Sequence, residues 1–171
     1  MTAAEPVTDL DARYSDPGAA PVPWATTQEA LAAAELSWLT TVRPDGRPHV
    51  TPLITVTEGP VVHFCTGAEE RKCRNIVENP HVVLTTGANS WKGGLDVVVE
   101  GHAARVTGPE ALRRIADGLV AKYGEEWRFE VGDGVFLHPG TPNEAVVFAV
   151  DPTTVFAFGK APHTQTRHRF A

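Results

Sequence analysis

Between Leu36 and Thr66 the chain reads as three short runs broken by tight turns: LSWLTTV, HVTPLITV and VVHFCT. Each run is rich in Val, Thr, Ile, Leu and aromatic side chains, the composition of a strand. The first break, PDGRP, carries Asp-Gly, whose glycine accepts the positive φ that a tight hairpin demands. The second, TEGP, sits in the same place between its neighbours. Strands joined this closely return antiparallel, because a parallel return needs a crossover of about a dozen residues. No G-x-G-x-x-G run follows a strand, so the doubly wound dinucleotide class is excluded.

The rest of the chain extends this plan. A helix is expected from Ala68 to Glu78, and strands at HVVLTTG (His81 to Gly87) and LDVVVEGHAARV (Leu95 to Val106), with a bulge at Gly101. Pro109 opens a second long helix that stops at Gly124. AVVFAV (Ala145 to Val150) and TTVFAFG (Thr153 to Gly159) read as two strands parted by Asp151-Pro152, followed by a short basic tail, HTQTRHRFA. Upstream, Thr26 or Thr27 is placed to cap a short helix, TQEALAAAE. Residues 1–23, rich in Pro, Ala and Asp, read as an N-terminal arm, loosely ordered unless it packs on a partner. Residues 24–171 then form a single domain, mainly β with inserted helices, of a barrel or sandwich type.

Composition narrows the function. A net charge of -6 argues against nucleic acid as the main partner. No apolar run approaches membrane-spanning length, and the N-terminus lacks the basic start and apolar core of a signal peptide, so a cytoplasmic location is expected. Cys65 and Cys73 have no metal-type spacing, and seven scattered histidines form no HExxH pair. No G-x-S-x-G elbow is present, and Asp96 and Glu100 flank three valines without forming an acid–base pair. Chemistry in such a chain falls to a bound cofactor.

The stretch FCTGAEERKCRNIVENP (Phe64 to Pro80) suggests where that cofactor is held. A strand end runs into a turn and then a helix whose first turn carries Arg71, Lys72 and Arg74. A helix start offers free N–H groups and the positive end of the dipole. Arg71 and Lys72 add charge there, and the Thr66 hydroxyl adds a donor, the makings of a phosphate cradle. A solvated basic helix face is the bland alternative.

The run from Thr66 to Pro80 resembles a motif of the pyridoxamine 5'-phosphate oxidase superfamily: a Thr, then Arg-Lys-x-Arg, Asp or Asn, Leu or Ile, and a closing Asn-Pro. The hairpin LTTVRPDGRPHVTPLI resembles that family's turn and flavin-contacting strand. The resemblance covers roughly Glu35 to Phe170 and is weaker through DVVVEGHAARV and the closing strands. It implies a split β-barrel of the FMN-binding type, usually a homodimer with the cofactor between subunits. Carried over by position, Thr66, Arg71 and Lys72 would hold the cofactor phosphate. Thr51, Pro52 and Leu53 would run along the ring system, with Cys65 near the ribityl chain. Phe158 falls where the oxidase branch keeps a Trp against the partner's cofactor, and Arg167 and Arg169 would reach the same cleft. The oxidase branch has an Arg where Thr51 stands, a Lys where Val56 stands and a Gln where Asp96 stands, so true pyridoxamine phosphate oxidase activity is not expected. The chain looks instead like the deazaflavin-using branch. The lead cofactor is the deazaflavin coenzyme F420, with FMN second, passing a hydride to a small acceptor such as an activated alkene, quinone or nitro compound. The acidic tail of the deazaflavin coenzyme would draw on Arg43, Arg47, Arg74 and the tail arginines. The alternative is a non-enzymatic carrier of flavin, deazaflavin or haem.

Overall fold

The structure is a computed structural model and describes residues 5–171. Eleven strands and three α-helices follow in chain order. Strand β1 (Val7–Leu10) precedes α1 (Trp24–Ala33), β2 (Ser37–Val42) and β3 (Pro48–Leu53). Next come β4 (Val56–Glu58), β5 (Val61–Thr66), α2 (Arg71–Glu78), β6 (His81–Gly87) and β7 (Leu95–Val106). The chain ends with α3 (Pro109–Tyr123), β8 (Glu130–Val131), β9 (Phe136–Leu137), β10 (Glu144–Lys160) and β11 (His163–Arg169). No described helix is long and apolar enough to cross a membrane.

All strand pairs are antiparallel, as the hairpin turns require, and the main sheet runs β1-β11-β10-β7-β6-β2-β3. Strand β10 also pairs with β5, and β5 with β4. The ladder does not close: β3 pairs only with β2, and β4 only with β5. Yet Ile54 and Thr55 alone carry the chain from β3 to β4. Two residues span at most about 10 Å, so the two borders of the sheet must stand close without joining. This is a split barrel.

Two apolar cores fill it. Leu39, Val62, Phe64, Leu84, Val97, Val99, Phe148 and Val155 occupy the barrel interior with Cys73 and Ile76 of α2. Leu112, Ile115, Leu119, Phe136 and Val147 form a second core beneath α3. The 15-residue α3 begins at Pro109 and ends at Gly124, where φ is 98°. Only glycine takes that conformation at little cost.

Several expectations need correction. The expected arm is, over Val7–Leu10, a border strand hydrogen-bonded to β11, while its first four residues lie outside the described region. Its alternation was too short and polar to read as a strand. The short basic tail forms a strand, β11, over His163–Arg169. The two closing strands are one 17-residue strand, because Pro152 sits where β10 exchanges β5 for β11 as a neighbour. The bulge lies in β10 at Thr153 and not in β7, since the register shifts between Pro152 and Thr154. Gly101 faces that bulge, and a Cβ there would stand 2.3 Å from the Asp151 carbonyl oxygen. Helix α1 starts at Trp24 with Pro23 as its cap residue, so Thr26 and Thr27 lie inside it. Helix α2 starts at Arg71, after a turn closed by Glu70 N–H to Gly67 O at 3.1 Å. The hairpin β8–β9 was missed, its strands being two residues each.

Candidate functional site

Alternation sorts the side chains of β3. His49, Thr51 and Leu53 face the barrel interior and are half-buried, while Pro48, Val50 and Pro52 face outward and are exposed. In β5, Thr66 shares the inner face of Val62 and Phe64 and is 4% exposed. Helix α2 closes this end of the barrel, where the buried Asn75 donates through Nδ2 to Thr41 Oγ1 at 2.9 Å. The first turn of α2 therefore stands beside the open border of β3.

Four polar atoms in this corner are buried without a hydrogen-bond partner: Thr66 Oγ1, Thr51 Oγ1, His49 Nδ1 and Arg43 Nε. Glu70 is near enough to Thr66 for its carboxyl to feel the hydroxyl, yet no acceptor meets Thr66 Oγ1 in bonding geometry. An orphaned buried polar group costs about 1–3 kcal/mol, so these atoms call for a partner, either water or a ligand. Lys72 lies there with its side chain only 11% exposed. Burial, followed by the charges of Arg43, Lys72 and Arg71, holds the His49 imidazolium below its ordinary range. All three cations lie within electrostatic reach of the ring. The donor set is cationic and hydroxylic, which fits an anion and specifically a phosphate.

A carboxylate already stands at this helix start. Glu70 Oε1 accepts the Gly67 N–H at 3.0 Å, and Oε2 pairs with Lys72. The Lys72 hydrogen bond, foremost, and the Gly67 N–H keep the Glu70 carboxyl below its ordinary range against the effect of burial. Of the expected residues, Thr66 is buried at the end of β5, Lys72 is largely buried at the start of α2, and Thr51 is half-buried on β3. Arg71 is exposed and has no carboxylate partner among the described residues. Arg43 and His49 join the corner although the helix-start motif does not contain them. The signal for His49 was its parity with Thr51 on one strand.

Other expected residues lie elsewhere. Pro52 faces away from Thr51 and Leu53. Cys65 points to the opposite side of β5 from Thr66, against the α3 core, where burial pushes its thiol up to about 11. Phe158, Arg167 and Arg169 lie on the outer face of the sheet. One row there runs Arg167, Phe156, Val98, Thr85, Trp38, Pro52, each opposite the next on adjacent strands. Phe158 stacks on Phe156 with centroids 6.1 Å apart and lines an outer groove of about 900 Å³ with Trp38, Trp91 and Lys160. From β11 to β3 is five strand steps, about 24 Å along the sheet. Within one chain, then, the tail arginines and Thr51 stand on opposite faces of the sheet. Most of the arginines expected to offer spare charge are already paired: Arg47 with Asp45, Arg74 with Glu69, and Arg167 and Arg169 with Asp9.

Fold and corner together define an antiparallel split barrel with a cluster of cationic and hydroxylic side chains, a candidate anion site, between its open border and a helix start. The sequence pattern described as pyridoxamine 5'-phosphate oxidase matches residues 24–158. The chain belongs to that family. No curated protein matches it in sequence. Among solved structures it is similar to a conserved hypothetical protein from Mycobacterium tuberculosis, at 18% identity and TM-score 0.66, covering 89% of this chain and 90% of that one. It is also similar to a Bacteroides thetaiotaomicron protein proposed to confer 5-nitroimidazole antibiotic resistance, at 14% identity and TM-score 0.64, over 95% and 89% of the two chains. A third is the haem storage protein HutZ from Vibrio cholerae, at 18% identity and TM-score 0.63, over 81% and 97%. At these identities the likeness is one of fold.

Proposed function

We propose that the chain is an oxidoreductase that holds a phosphate-bearing flavin-type cofactor, the deazaflavin coenzyme F420 or FMN, and reduces a small organic acceptor. The observation that carries this reading is the set of buried, unpartnered polar atoms on Arg43, His49, Thr51 and Thr66 beside Lys72. The cofactor supplies the hydride chemistry. Lys72, Arg71 and the helix start bind its phosphate, and Thr51 and Leu53 position what extends along β3. The family carries flavin chemistry, and a nitro compound is the acceptor class suggested by the resistance protein of the same fold. A soluble cytoplasmic setting suits the absence of any long apolar helix among the described residues.

A second copy of the chain completes this site. Trp38 and Val50 are 49% and 52% exposed on the outer face. The row of Trp38 ends in Phe156 and Arg167 and that of Val50 in Arg169, with Phe158 stacked on Phe156 on the same face. A partner laid against that face would bring these residues toward the cleft that one chain leaves half built. The test is a fluorescence titration of the protein with the deazaflavin coenzyme, FMN and riboflavin, on wild type and Lys72→Met. Losing one charge-assisted bond in a water-poor site costs about 1.5–3 kcal/mol, so Lys72→Met should bind about 10- to 100-fold more weakly. Riboflavin, lacking phosphate, should bind weakly to both proteins. Equal affinity of the two proteins for FMN and for the deazaflavin coenzyme would sink the assignment. Cofactor binding without faster oxidation on adding menadione or a nitroimidazole would make the chain a carrier instead.

A further inference from the structure

We propose that His49 is a member of the anion site that takes up one proton when a phosphate enters, so that cofactor binding tightens in mild acid. The inference rests on the cofactor reading above and adds a residue and a linkage to it. It begins from geometry. His49 lies two residues before Thr51 on the inner face of β3, and its Nδ1 is buried with nothing to bond. Across the ladder it stands opposite Thr41, whose hydroxyl is already engaged by Asn75.

The charges facing the ring come from two directions. Arg43, just after the end of β2, and Lys72 and Arg71, at the start of α2, lie within electrostatic reach of it. The nearby acids are committed elsewhere, Glu70 to Lys72 and Asp45 to Arg47. Burial and three cations therefore favour the neutral ring in the free protein. A phosphate changes both sides of that balance. It cancels the surrounding positive charge, and it offers an acceptor to Nδ1. A neutral imidazole has one N–H to place, whereas the imidazolium donates from both nitrogens. The ring gains H⁺ from solvent, and the bound phosphate gains a donor.

The sign follows from the direction of the shift. Binding raises the affinity of His49 for its proton. Cofactor affinity then rises as pH falls through the value His49 has in the complex, and levels off below its value in the free protein. One coupled proton changes affinity by at most about tenfold per pH unit.

The experiment is calorimetric titration of wild type and His49→Gln with FMN and with the deazaflavin coenzyme, between pH 5.5 and 8, in two buffers of different ionisation heat. The phosphomonoester of FMN titrates near pH 6 itself, so the readout is the difference between the two proteins. The phosphodiester of the deazaflavin coenzyme does not titrate in that range and reports His49 directly. Wild type should take up more of a proton than the variant, with a pH slope that His49→Gln flattens. Equal proton uptake and equal slopes would overturn the inference while leaving the cradle standing. Failure of both cofactors to bind wild type would overturn the cradle reading and the inference with it. Proton NMR of the histidine rings gives a check that needs no functional variant. The His49 resonance should titrate at higher pH with cofactor than without, and an unmoved resonance would also overturn the proposal.

Discussion

His168 ties three elements together, and its replacement should show how much of the fold hangs on one ring. It is fully buried on β11. Nδ1 lies 2.8 Å from Thr8 Oγ1 of β1, and Nε2 lies 3.0 Å from Thr27 Oγ1 of α1. Trp24 meets it edge-on at 5.1 Å between centroids. A His168→Leu protein loses two neutral hydrogen bonds, each worth about 1 kcal/mol net. Thr8 can turn to water, being exposed, but Thr27 is wholly buried and keeps only a long contact of 3.4 Å to the Pro23 carbonyl. The expected loss at pH 8 is therefore about 2–3 kcal/mol, adding the cost of one poorly satisfied hydroxyl. The pH dependence is the sharper test. Burial holds His168 below its ordinary range, with only the Asp9 charge opposing. Its neutral form contributes stability present above about pH 6.5, which is lost as pH falls below that value. Each such histidine adds at most about 1.4 kcal/mol per pH unit to the slope. His49 and His63 are lowered too, with burial the first cause in each. Urea unfolding between pH 5 and 8, followed by tryptophan fluorescence, measures this slope. Wild type should weaken steadily below pH 6.5, and His168→Leu should weaken less steeply. Parallel slopes would refute the assignment of a buried, proton-refusing ring at this position.

Three further outcomes are expected. Gly101→Ala should destabilise by about 2–3 kcal/mol in the same urea assay, because its Cβ would stand 2.3 Å from the Asp151 carbonyl oxygen and neither backbone can yield cheaply. Glu70→Gln should tighten cofactor binding severalfold in a fluorescence titration, since the internal carboxylate that engages Lys72 and the Gly67 N–H would no longer compete; weaker binding would show that Glu70 positions Lys72 instead. Trp38→Asp on the outer face should shift the protein toward monomer by light scattering while leaving its circular dichroism unchanged, because that side chain is 49% exposed in the single chain.

The sequence disclosed the parts of the molecule set by local chemistry. The Asp-Gly turn, the boundaries of β5, β6 and β7, and the Pro109 to Gly124 helix are all dictated by residues within a few positions of one another. What it concealed depends on distant partners. Strand β1 is four residues long and half polar, and its reason to be extended is the edge of β11, some 160 positions away. Pro152 looked like a break and proved to be the point at which β10 changes neighbours. The same holds at the site. Thr66 and Lys72 were singled out by the motif, and Thr51 by its place on the hairpin strand. Cys65 was misplaced because adjacent residues on a strand face opposite sides. Arg167 and Arg169 were grouped with the cradle by order along the chain, which says nothing of the four strands between β11 and β3.

The pairing of β1 with β11 sets the order in which the molecule can assemble. Thr8 stands opposite His168, so this ladder closes a loop nearly as long as the chain itself. Closing so long a loop costs entropy before any contact offsets it. The hairpin β2–β3, by contrast, closes over five residues from Arg43 to Arg47. Local pairs of that kind should form first, and the border ladder last. Until β11 is present, β1 has no template and the edge of β10 lies open to other chains. A nascent chain is in that state until β11 has emerged from the ribosome, which makes the interval before that the one of greatest aggregation risk.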